Sequence, residues 1–176
     1  MLAPGPPGPS RAAALELLAA AALLHGVFTV GLPALILRWS AGSPMLVANI
    51  GDLRWLGAVL AGFGVYLYLW SAVRLLRSRT SAVPGARPTV LVTDGWYART
   101  RHPLLLGVMA ILLGEAVLFA NAALLGYALA YWAWLTAFVV VKEEPDLRRA
   151  FGPAFESYCR EVPRWVPRLR SRRSRR

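Results

Sequence analysis

PLLLGVMAILLGEAVLFANAALLGYALAYWAWLTAFVVV, residues 103–141, is a run of 39 residues whose only charged side chain is Glu115. As one helix it would extend roughly 58 Å at 1.5 Å per residue, about twice the thickness of a bilayer core. A single span cannot use that length. The run therefore reads as a hairpin of two spans that turns near Phe119-Ala120-Asn121, where Asn121 supplies the turn chemistry. Two further apolar runs precede it: residues 12–37, interrupted only by Glu16 and His25, and residues 55–76, with Arg74 near the end.

Composition agrees with this pattern. The chain has 176 residues, 57% of them hydrophobic, and a mean hydropathy of +0.47, which leaves too little polar surface for an ordinary soluble domain. The expected fold is an all-α integral membrane protein of one domain, residues 12–167. Its spans are about 12–37, 55–76, 103–119 and 122–141, followed by a cytoplasmic amphipathic segment at 145–162. A fifth span or re-entrant piece within residues 40–54 stays open. Residues 1–11, rich in Pro and Gly, are expected to be disordered, and 168–176 form a basic tail. The first run is longer than the apolar core of a signal peptide and has only Arg11 before it, so it reads as a retained anchor.

The twenty Lys and Arg residues orient the chain. With four spans, eighteen of them, counting Arg74 at the end of the second run, fall on the side that holds both termini and the second loop, and the turn near Asn121 carries none. The positive-inside rule places that side in the cytoplasm. The net charge of +11 does not point to nucleic acid, because the six arginines of residues 168–176 have no aromatic platform among them. Anionic lipid headgroups are the partner such a juxtamembrane cluster attracts. Two histidines and one cysteine provide no metal-ligand spacing, and Cys159 has no activating histidine beside it in sequence. Gly62-Phe63-Gly64 lies within an apolar run and lacks the third glycine of a dinucleotide cradle.

Two polar blocks flank the hairpin. The first is Gly95-Trp96-Tyr97-Ala98-Arg99-Thr100-Arg101-His102-Pro103. Pro103 suits a first helical position, so a helix would begin there with free N–H groups and its positive dipole end at Arg99, Arg101 and His102. That arrangement reads either as a carboxylate or phosphate site or as an interfacial basic cluster. The second block runs from Glu143-Glu144 to Phe151-Gly152, Tyr158 and Val162-Pro163. Glu143 and Glu144 at the end of a span oppose its dipole. Either they serve the N-terminus of a new helix starting at Pro145, or one carboxylate faces a ligand. Leu147, Phe151, Phe155, Tyr158 and Val162 recur at three- and four-residue steps, the pattern of an amphipathic helix.

The pattern Gly95-x-Tyr97-x-x-x-Arg101-His102-Pro103, followed by Glu143-Glu144-x-x-Leu147-x-x-x-Phe151-Gly152-x-x-Phe155-x-x-Tyr158-x-x-x-Val162-Pro163, resembles the isoprenylcysteine carboxyl methyltransferase family and, more loosely, its phospholipid methyltransferase relatives. The likeness covers about residues 89–167. It implies an S-adenosylmethionine-dependent membrane methyltransferase whose cofactor sits at the cytoplasmic helix ends and whose lipophilic small-molecule or lipid substrate enters from the bilayer. By motif position, the resemblance implies cofactor contacts at Thr89, Val90, Leu91, Val92, Tyr97, His102, Pro103, Leu104, Leu105 and Glu143. Glu143, Glu144 and Arg101 are the candidate catalytic groups, and no metal is implied.

Two departures stand out. The family commonly has an aromatic residue where this chain has Leu105, and an arginine that handles substrate in the eukaryotic prenylcysteine enzymes falls at Val139. An NADPH-dependent reductase of the sterol-reductase type shares the arginine-histidine-proline block, but it tends to continue with residues that Leu104-Leu105 and Gly107-Val108 replace here. A non-catalytic membrane assembly protein is the third alternative. Glu16 and Glu115 lie inside apolar runs, where a carboxyl group is costly and often functional or paired; Glu115, about 18 Å along its helix from Pro103, reads as an interhelical or outer-face group.

Overall fold

The computed structural model describes residues 19, 23, 25–43, 47–78 and 90–168. Their regular elements are all helical, and an isolated antiparallel bridge between Val47 and Asn121 is the β-type pairing among them. Helix α1 (Leu32–Ser40) follows a π-helical turn at Val27–Gly31. A 3-10 turn at Gly51–Leu53 leads into α2 (Arg54–Arg77). After a second 3-10 turn at Gly95–Ala98 come α3 (Pro103–Leu118), α4 (Ala122–Phe138), a π-helical segment at Val139–Glu143, α5 (Glu144–Phe151) and α6 (Pro153–Glu161).

Among the described residues, two continuous helices are long and apolar enough to cross a membrane: Gly51–Arg77, 27 residues, and Ala122–Phe151, 30 residues. The 16 residues of α3 reach about 24 Å, and Val27–Ser40 is shorter still, so neither matches a bilayer core of about 30 Å. The described helices thus show two of the four expected spans at full length. Residues 1–11, the first part of 12–37 (12–18, 20–22 and 24), and the tail beyond Arg168 lie outside the described residues. Residues 47–53 hold a bridge and one 3-10 turn rather than a further span.

The hairpin turns where the sequence places it. Ala120 takes a left-handed φ of 47°, and Asn121 caps α4 by accepting from the N–H groups of Ala123 and Leu124 at 2.9 and 3.1 Å. Its buried amide also donates to Ser40 Oγ at 2.7 Å, which ties the turn to the end of α1. One side chain thereby satisfies orphan helix N–H groups and fixes an interhelical contact.

Helices α2 and α3 pack antiparallel through a seam of glycines. A methyl group built on Gly57 would lie 2.5 Å from Gly114 O, and one on Gly64 would lie 2.7 Å from both Gly107 O and Ile111 N. Backbone sits against backbone there, an approach that only small residues permit. The core formed by α3 and α4 holds Leu104, Leu105, Val108, Met109, Leu112, Ala128, Tyr131, Leu135 and Val139. The outer faces stay apolar, with Leu56, Val59, Leu69, Leu129 and Val141 exposed.

Two local expectations are corrected. No helix ends at Val141: the π-helical segment carries the chain through Glu143 into α5 without a break, so the glutamates neither oppose a helix end nor cap a new start. Pro145 inside a helix would clash with the carbonyl four residues back and removes one donor. The preceding π turn, with its wider ring, absorbs that defect. The same device recurs at Val27–Gly31, two residues before Pro33. The amphipathic segment expected as one helix over 145–162 is instead two, because Gly152 takes φ +50° and the chain bends there. Apolar spacing persisted across the bend and hid it.

Candidate functional site

The first polar block lies along the last turns of α2. Asp94 binds the Arg74 guanidinium through both oxygens at 2.6–3.1 Å. Gly95, at φ +58°, lies beneath the Trp70 indole, where a Cβ would collide with the ring. The turn it starts buries Tyr97, whose ring centroid is 6.4 Å from that of Trp70. Tyr158 of α6 donates its hydroxyl to Tyr97 O at 2.7 Å.

From Tyr97 to His102 the block is zipped to the C-terminal segment. Thr100 Oγ1 donates to Arg164 O at 2.9 Å, Arg101 N to Pro163 O at 3.0 Å, and Arg168 N to Arg99 O at 3.0 Å. Arg101 also donates from Nε to Val162 O at 2.8 Å and from Nη2 to Cys159 O at 3.2 Å. The strap 162–168 therefore covers the start of α3. Trp165 sits over His102, with ring centroids 5.4 Å apart, and packs on Trp132 at 4.4 Å.

The two glutamates occupy different environments. Glu144 is 1% exposed and receives Arg101 Nη1 at 2.8 Å and the Arg164 guanidinium, bidentate, at 2.8 Å to each oxygen. Arg148 stands 3.8 Å away. Glu143, 33% exposed at its side chain, meets His102 Nδ1 at 3.3 Å. His102 Nε2 points toward Glu144 Oε1 from 3.6 Å, beyond hydrogen-bonding distance, and is a buried nitrogen with no hydrogen-bond partner among the described residues.

Burial alone would lower the His102 pKa, but the contact with Glu143 and the negative charges of Glu143 and Glu144 outweigh it and raise the value above the ordinary 6.5. Burial pushes the phenols of Tyr97 and Tyr158 well above their usual range, and Glu143 adds to the effect on Tyr97. Neither tyrosine is a base near neutral pH. Burial also raises the Cys159 thiol, with the Arg101 charge opposing it, so that side chain stays protonated and inert.

The structure thus brings together Tyr97, Arg101, His102, Glu143 and Glu144 from blocks forty residues apart. Val92 is buried, and Leu91 packs against the Phe155, Tyr158 and Val162 cluster of α6 and the strap, whereas Val90 is exposed. Pro103, Leu104 and Leu105 are buried at the start of α3, the last two within the α3–α4 core. Thr89 lies outside the described residues. Among the described residues no His, Cys, Asp and Glu group is placed to hold a metal ion. Sequence reading missed Arg164, Trp165 and Trp132. The available signal was the Arg164-Trp165 pair between Pro163 and Pro167, an extended segment with two strong contact residues.

Residues 53–154 match the family description of phospholipid methyltransferases, which is more than half of the chain. The chain belongs to the phospholipid methyltransferase family. Among curated relatives, this family member is 35% identical over 79 residues to the protein-S-isoprenylcysteine O-methyltransferase of Schizosaccharomyces pombe, covering 44% of the chain and 33% of that protein. It is 32% identical over 123 residues to the nickel-cobalt-cadmium resistance protein NccN of Alcaligenes xylosoxydans, covering 67% of the chain and 54% of NccN. The cobalt-zinc-cadmium resistance protein CzcN of Cupriavidus metallidurans is 33% identical over 139 residues, with 75% of the chain and 55% of CzcN covered. The chain spans between a third and just over half of the length of these relatives. No solved structure matches it. The family match includes His102 and both glutamates and ends before the strap that carries Arg164 and Trp165.

Proposed function

We propose that this protein is an S-adenosylmethionine-dependent methyltransferase acting on a lipophilic or membrane-embedded acceptor, with the cofactor end of the site and both termini in the cytoplasm. The observation that carries the reading is the contact of His102 with a half-buried Glu143, beside an arginine-saturated Glu144, in a chain of a methyltransferase family. The side chains present suit such a cofactor. Glu143 keeps accepting capacity for hydroxyl or ammonium groups, and His102 Nε2 is an uncommitted ring nitrogen.

When bound, the cofactor would supply a methyl group on a positively charged sulfur, a leaving group that is already activated. What remains for the protein is alignment and exclusion of water. Glu143 would orient the polar part of the cofactor, with His102 and the start of α3 holding its other end. Arg101 and Glu144, the other two catalytic candidates, are committed to each other and to the strap, which suits a positioning role. A carboxylate acceptor needs no base, whereas an amine or hydroxyl must lose a proton, and Glu143 is the carboxylate at this site not held by arginine.

Stability of the detergent-solubilised chain, measured against increasing S-adenosylhomocysteine or NADPH, tests the reading. Stabilisation that grows with S-adenosylhomocysteine is expected. Tight NADPH binding with no response to S-adenosylhomocysteine would overturn it. The acceptor is a second question. Val139 is fully buried in the α3–α4 core and offers no charge to a carboxylate, and leaving a buried anion unpaired costs on the order of 3 kcal/mol. Poor methylation of a farnesylcysteine analogue is therefore expected in a radiolabelled transfer assay; robust turnover that persists when Lys142 and Arg148 are replaced would refute the inference from Val139.

A further inference from the structure

A groove of about 370 Å³ runs along the outer face of α2, lined by Tyr66, Leu69, Trp70, Val73, Arg74 and Arg77. These positions follow the three- and four-residue steps of a single helix face, and their chemistry is graded along it. Tyr66, Leu69 and Val73 are exposed and apolar or aromatic in the body of a membrane-length helix, and the two arginines stand in its last turn. The wall toward the polar block is closed, because Trp70 packs on Gly95 and Tyr97, and the Trp96 indole N–H reaches Tyr66 Oη at 3.5 Å.

The two arginines differ. Arg74 is neutralised by the two oxygens of Asp94. Arg77 is exposed, and no ion pair or hydrogen bond engages its guanidinium among the described residues. Among the described residues no acidic side chain lines the groove. An apolar channel about 16 Å long that ends in an uncompensated cation complements an amphiphile with an anionic head.

We propose that this groove binds one anionic phospholipid of the surrounding bilayer, with its phosphate on Arg77 and an acyl chain along Val73, Leu69 and Tyr66. The site is separate from the His102–Glu143 contact, and Trp70 stands between the groove and Tyr97. Its occupancy does not depend on methyl transfer, so failure of the cofactor reading leaves it standing and its own failure leaves that reading untouched.

The test uses the full chain in detergent and a photoreactive phosphatidylglycerol with the reactive group on the acyl chain, followed by peptide mapping. Labelling is expected on the α2 face at Leu69 and Val73. Unlabelled phosphatidylglycerol should suppress it at least about tenfold more effectively than phosphatidylcholine. Arg77→Gln should reduce labelling several-fold and Arg77→Lys should restore most of it, since both exchange an exposed side chain and leave the helix packing alone. Leu69→Trp fills the groove without changing charge and should also abolish labelling. Label confined to the basic C-terminal residues, equal competition by phosphatidylcholine, full labelling of Leu69→Trp, or protection by glycerol phosphate alone would each overturn the proposal.

Discussion

Adjacent glutamates with the same chemistry have been given different work by their surroundings. Glu144 is buried between Arg101 and Arg164, so Glu144→Gln leaves two guanidiniums without their counter-charge and should lower stability by roughly 3 kcal/mol. Glu143 has the His102 contact and partial exposure, so Glu143→Gln should leave the unfolding midpoint nearly unchanged and weaken S-adenosylhomocysteine binding. Unfolding and calorimetry on both variants would read the contrast; a Glu143→Gln protein with full affinity would remove this carboxylate from the proposed site. His102 adds a pH dependence. Its pKa is raised above 6.5 in the fold because two carboxylates outweigh the cost of burial, so the charged ring contributes stability that is fully present below the unfolded value. That contribution is lost as pH rises through the folded value. The stability difference between the wild type and His102→Asn should therefore shrink from pH 6 to pH 9, and a constant difference would show that the ring acts neutral.

Between helices, the decisive contacts are made by groups with no side chain. Gly57 and Gly64 face Gly114 and Gly107 across the α2–α3 seam, and the atoms a Cβ would strike are backbone carbonyls and amides that cannot rotate away. Gly64→Val should force the helices apart and cost roughly 3 kcal/mol, the upper part of the usual overpacking range. Gly62 sits in the same helix with nothing within 4 Å of where a methyl group would stand, and Gly62→Ala should be neutral or slightly stabilising. Unfolding of both variants in mixed detergent would check the pair, and equal behaviour would show that the seam does not carry the packing. The helix through Glu143 depends on a different local device. A π-helical turn before Pro145 keeps the chain helical where proline would otherwise have stopped it, which puts both glutamates on a continuous helix beside His102.

Across the whole chain, the site is closed by its C-terminal end. The strap 162–168 supplies Arg164 to Glu144 and Trp165 to His102, and it pairs with backbone groups of residues 99–101. A chain ending at Glu161 should retain α2, α3 and their glycine seam, and so its helical circular dichroism, while losing stabilisation by S-adenosylhomocysteine. Unchanged ligand stabilisation in that truncation would mean that the strap is only a cover.

The apolar run at 103–141, its turn at Asn121 and the helix start at Pro103 were all legible in the chain, because each depends on residues within a few positions of one another: hydrophobic length, an amide side chain able to cap, an imide with no N–H. The pairing of the two polar blocks was legible as a pattern. The roles within it were not. That Glu144 is locked by arginines while Glu143 stays partly open depends on Arg101 and Arg164, 43 and 20 residues away, converging on one carboxylate. The continuity of the helix at Pro145 and the break at Gly152 were hidden for a related reason: hydrophobic spacing reports which face is buried, whereas a π turn or a left-handed glycine is selected by how the helix must pass its neighbours. Tertiary packing made those decisions, since only the folded chain brings the competing charges and backbones within reach of each other.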